Sequence, residues 1–75
     1  MEQMGGEEWV RAFAALAGGE APNEEEIGKL LKLAADAAHS SERIAAPLAC
    51  WVAGREGLDL DEAIALAGRV GAADG

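Results

Sequence analysis

One cysteine, one histidine, no tyrosine and three other aromatic residues leave this 75-residue chain short of reactive groups. Cys50 has no second thiol, so no intramolecular disulfide can staple the fold. His39 and Cys50 cannot form an HxxxH, CxxC or HExxH pattern, which removes the common metal signatures. A stand-alone enzyme is left with few pairs of general acid and base. Basic residues are also scarce: 6 against 14 acidic, for a net charge of -8. That balance argues against a nucleic-acid backbone or an anionic membrane as partner. No apolar run is long enough to span a bilayer. The acidic N-terminus lacks the apolar segment of a signal peptide, so a cytoplasmic, reducing location is expected. Gly18-Gly19 has no preceding strand and no following GKS or GKT, which excludes a phosphate-cradling loop. Period-two alternation never persists, so no strand is expected.

Alanine, by contrast, is abundant. Apolar residues make up 51% of the chain, which excludes general disorder, but 18 of them are alanine. Alanine favours helix and lets helices approach closely, yet each buries little area. The large apolar side chains are two Trp, one Phe, eight Leu, three Ile and three Val. A chain this short with so few bulky groups holds one domain with a thin core. A homodimer, or docking onto a larger protein, is expected to cover what the monomer leaves exposed.

The spacing predicts an all-α fold, a compact four-helix bundle. Residues 1–6 form a flexible leader. Trp9, Val10, Phe13, Leu16 and Ala17 fall on one face of a first helix over 7–17, ended by Gly18-Gly19, and Trp9 and Phe13 read as core. Asn23 and Glu26 make a capping box for a second helix, running from Glu24 to Ser40 or Arg43, with Ile27, Leu30, Leu31, Ala34, Ala37 and Ala38 as its buried stripe. Ile44 to Gly54 is uncharged at all 11 positions and reads as the central, mostly buried element, with a third helix over about 46–56 ended by Gly57. Pro47 fits its first turn, Leu48, Trp51 and Val52 its bulky apolar face, and Ala46, Cys50, Ala53 and Gly54 its small one. Asp59 and Glu62 cap a fourth helix with an inward seam of Leu60, Ala63, Ile64, Ala67 and Val70, and residues 72–75 form a flexible tail.

Lys32, Asp36, His39 and Arg43 are spaced by four, three and four, and share a stripe about 60° wide if the second helix reaches Arg43. In that geometry Asp36 could orient His39, and Arg43 could bind a carboxylate or phosphate. The same spacing serves a solvent-facing ladder of charges, which is the commoner use. Cys50 among Leu48, Trp51 and Val52 reads as core packing before it reads as a nucleophile. No catalytic residue, metal ligand or cofactor is assigned. Size and acidity invite comparison with acyl carrier proteins, but Ser40 and Ser41 stand in His-Ser-Ser-Glu, without the Asp-Ser-Leu motif on which that function depends.

Asp36-Ala-Ala-His39, Glu42-Arg43, Ala45-Ala46-Pro47-Leu48, Gly54 and the acidic-Trp pair Glu8-Trp9 together resemble a family of small uncharacterised helical proteins found mainly in actinobacteria. The likeness covers about Trp9 to Ala67. The chain departs from it in Ser40-Ser41 after the histidine, in Ile44 where proline is frequent, and in Cys50-Trp51. Some members of that family are fused to, or lie beside, molybdenum-cofactor guanylyltransferases and related maturation proteins. The resemblance therefore implies a non-enzymatic interaction or accessory domain in molybdoenzyme maturation. Asp36, His39, Arg43, Pro47, Cys50 and Trp51 are its candidate functional or interface residues. It also raises a second role for His39 and Arg43, as a clamp on carbonyls left open where the second helix ends. A small-ligand or metal-binding domain built on Asp36, His39 and Arg43 is the alternative.

Overall fold

The structure, a computed structural model, describes residues 5–74, and it contains four α-helices and no strand among them. They are α1 (Gly6–Ala17), α2 (Glu24–Ser40), α3 (Ala45–Arg55) and α4 (Leu60–Asp74). The expected leader lies outside the described residues except for Gly5 and Gly6, which start α1. The expected tail is corrected: α4 continues through Gly71 to Asp74.

The helix ends follow local chemistry. Asn23 Oδ1 accepts from the Glu26 N–H at 2.8 Å, and Glu26 Oε1 accepts in return from the Asn23 N–H at 2.8 Å, which satisfies two otherwise orphaned donors. Asp59 Oδ2 accepts from the Glu62 N–H at 3.3 Å, one half of the box predicted there. Gly18 closes α1 at φ 84°, a left-handed conformation that costs a residue with a Cβ about 1–2 kcal/mol. Its N–H bonds Ala15 O, and the Gly19 N–H bonds Ala14 O, the pair of bonds that ends a helix after a left-handed glycine. Gly57 repeats the device at φ 65°, with the Leu58 N–H on Ala53 O at 3.0 Å. Leu58 is thereby turned back onto the core.

The packing centre is α2, against which both α3 and α4 lie. Lys29 and Asp61 meet near the N-terminal ends of α2 and α4, and Ser40 and Gly71 meet near the C-terminal ends, so these helices run parallel. A Cβ on Gly71 would stand 3.7 Å from Ser40 Cβ, in ordinary contact. The turn at 41–44 sends α3 back along α2. Among the described residues the buried core is Leu33, Ala53 and Ala63, one from each of α2, α3 and α4. The molecule is 18 Å across its thinnest direction, about two helix layers, so few side chains can escape water.

Residues 44–54 are therefore not the central rod expected of them. The small face of α3 (Cys50 and Ala53) meets the core, whereas Ile44, Leu48, Trp51 and Val52 stay exposed. Absence of charge made that segment look buried. What decides burial is close backbone approach, which alanine permits and tryptophan does not. The expected inner face of α1 is corrected likewise: Trp9, Phe13 and Leu16 are exposed, Leu16 to 91%. On α2 the stripe holds for Ile27, Leu30 and the alanines, all half-buried, but Leu31 is exposed and the most buried residue is Leu33, which the stripe omits. On α4 the seam holds except at Val70, which is exposed.

Candidate functional site

The polar stripe on α2 breaks one turn early. Ser41 leaves the helical region at φ -147°, ψ -108°, so α2 stops at Ser40 and Arg43 falls outside the line of Lys32, Asp36 and His39. Lys32 Nζ donates to both carboxylate oxygens of Asp36, at 3.3 and 3.4 Å, a surface pair worth about 0.5 kcal/mol. Asp36 is thus turned toward Lys32, and no hydrogen bond joins it to His39 among the described residues. The clamp on the end of α2 is made by another side chain: Ser40 Oγ donates to Asp36 O at 2.8 Å. His39 and Arg43 are exposed, and their side chains form no hydrogen bond or ion pair among the described residues.

Pro47 is exposed at the third position of α3, where its missing N–H costs nothing. Cys50 is half-buried against the core, and desolvation pushes its thiol pKa up, away from the nucleophilic thiolate. Trp51 is exposed, with the Arg55 guanidinium 5.3 Å from its ring centre. Among the described residues no group of three or more His, Cys, Asp or Glu side chains is placed to hold a metal ion. The six candidate residues lie on α2, the turn and α3, and no side-chain hydrogen bond or ion pair among the described residues joins any two of them.

The structure instead brings apolar groups together at the surface. Among the described residues eleven large apolar side chains are exposed, against a single large one, Leu33, that is buried. On α1, Trp9 and Phe13 stack with ring centres 5.3 Å apart and planes 11° from parallel. Between α1 and α2 lies an open groove of 420 Å³, lined by Val10, Arg11, Pro22, Ile27, Leu30 and Leu31 among others. A second groove, of 280 Å³, runs between α3 and α4. Its lining is wholly apolar: Leu33, Ala49, Val52, Ala53, Leu58, Ala63, Leu66, Ala67 and Val70. Sequence reasoning had missed this groove, although Ala49 with Ala53 and Ala63 with Ala67 repeat at four residues on consecutive helices. Such spacing marks a small-residue face on each.

Charge is distributed unevenly around these surfaces. Arg11 pairs with Glu7, Lys29 with Glu25 and Asp61, and Lys32 with Asp36. The hydrogen bond to Asp61 holds the Lys29 ammonium pKa above its ordinary value. The other three cations, Arg43, Arg55 and Arg69, have no carboxylate partner among the described residues, and they follow α2 in the chain. No helix of the described residues is long and apolar enough to cross a membrane.

Compared with known families, residues 1–73 match the model of a domain of unknown function, DUF6457, and the chain belongs to that family. No curated protein and no solved structure matches it.

Proposed function

We propose that this member of the family is a non-enzymatic interaction module, acting through apolar helix surfaces and not through a polar site. One observation carries the reading: large apolar side chains are exposed on all four helices while the core holds a leucine and two alanines. A folded protein that leaves this many large apolar side chains exposed presents a surface suited to binding. The polar candidates support no competing chemistry, because Asp36, His39 and Arg43 engage different neighbours or none.

The setting we propose, assistance to molybdenum-cofactor or molybdoenzyme maturation, rests on the resemblance carried by His39, Arg43 and Ala46-Pro47-Leu48. The test is titration calorimetry of the purified chain against a purified molybdenum-cofactor guanylyltransferase. Saturable binding, weakened by Leu48→Ser, is the expected result. No heat of binding, together with an unchanged guanylyltransferase rate, would overturn this setting.

A further inference from the structure

Resting on the reading of the chain as an interaction module, we infer that α1 of one copy seats its Trp9–Phe13 stripe in the α3–α4 groove of a second copy, and that the exchange is reciprocal. Three independent observations meet here.

The first is area. A folded 7.7 kDa monomer exposes about 4300 Å² by size scaling. This chain exposes 5931 Å², an excess of about 1600 Å² over that scaling. Obligate homodimers cover about 1000–2500 Å² per partner, so the excess matches what a second copy removes.

The second is volume. The α3–α4 groove is lined in part by Ala49, Ala53, Ala63 and Ala67, all lacking bulk, with Val52, Leu66 and Val70 exposed along it. The α1 stripe has bulk and no cavity to place it in, since Trp9 and Phe13 are exposed to 56% and 58%. Large side chains entering a small-residue floor is the arrangement by which helices interdigitate. Within one chain the two surfaces do not meet: α1 faces Leu31, which points about 160° away from Leu33, the α2 residue at the groove floor.

The third is charge. Arg55 and Arg69 each stand three residues after a groove-lining side chain, Val52 and Leu66. Neither has a carboxylate partner among the described residues, and α1 brings Glu7 and Glu8 in its first turn. Opposite signs therefore flank the two apolar surfaces, which favours encounter and fixes orientation.

Each three-helix unit would acquire its missing fourth helix from the other chain, through two identical contacts related by a two-fold axis. Sedimentation equilibrium from about 1 to 100 µM tests this, a range in which a dimer with micromolar affinity dissociates. The expected mass is twice the 7.7 kDa chain at the upper end. Trp9→Ser with Phe13→Ser, and separately Val70→Glu, should each weaken the dimer about 30-fold or more. Mixing the two variants leaves one intact helix and one intact groove, so a one-to-one pair should reappear. All these residues are exposed, and circular dichroism checks that each variant keeps its helices; if Val70→Glu does not, Val52→Glu carries the same test from the other rim. A single-chain mass at 100 µM overturns the second copy as occupant, and leaves the interaction reading to the calorimetric test. A dimer abolished by the α1 variant but indifferent to both groove variants overturns the groove as its seat.

Discussion

Two apolar regions of this molecule are built in opposite ways. The seam between α2, α3 and α4 is made of Leu33, Ala53 and Ala63, little in volume and almost wholly buried. The stripe along α1 is made of Trp9, Phe13 and Leu16, large in volume and more than half exposed. The difference teaches that hydrophobicity and burial are separate properties in this chain: small groups set how closely its own helices approach, and large groups stay at the surface.

The heaviest blow to the seam is Leu33→Ala. A buried leucine with so few buried companions should cost about 3 kcal/mol, and a chain this small has little to spare. Urea unfolding followed by circular dichroism should show its midpoint falling sharply or the transition losing cooperativity. If Leu33→Ala is silent, the seam is not what holds the fold. Next comes Gly57→Ala. A Cβ at φ 65° is strained although no atom stands within 4 Å of it, so about 1 kcal/mol of stability should go, with Leu58 pulled from the core. A thermal melt reads this directly.

The stripe should behave the other way. In dilute solution, where the chain is single, Phe13→Ser should shift unfolding by less than about 0.5 kcal/mol, because an exposed ring has little to lose. At high concentration the same change should remove the concentration dependence of the melting temperature that an associating chain displays. A large loss in dilute solution would mean α1 belongs to the core after all. The smallest effect is the Lys29–Asp61 pair. The hydrogen bond to Asp61 holds the Lys29 pKa above its ordinary value of 10.5, so the pair's stabilisation is complete below that value and is lost as pH rises through the higher folded value. Across melting temperatures from pH 8 to 11, the difference between the wild-type chain and Lys29→Met should be full at the lower end and shrink only at the alkaline end.

Much of the fold was legible in the sequence because helix ends are local. Asn23, Gly18 and Asp59 each announce a boundary through one or two hydrogen bonds to their own neighbours. Facing is not local, and there the sequence misled. Periodicity selects the more hydrophobic side of each helix, which on α3 is Leu48, Trp51 and Val52, yet Ala53 is the side that packs. Leu33 escaped for the same reason: its neighbours three and four residues away are Lys29, Leu30, Asp36 and Ala37, two of them charged, a weaker stripe than the one through Ile27 and Leu31. The polar stripe is shorter than its spacing allows, since reaching Arg43 required α2 to continue past Ser41, whose backbone has already left the helix. The α3–α4 groove needed two helices placed side by side, which no spacing within one of them reveals.

The two tryptophans give the molecule its own optical gauge. Trp9 lies flat against Phe13 on α1, and Trp51 lies beside the Arg55 guanidinium on α3. Each sits on a different exposed surface with a different neighbour, so their emission reports separately on the two sides once either is replaced by phenylalanine. A blue shift confined to Trp9 would show that α1 had gone into a dry environment, without any label attached to the chain.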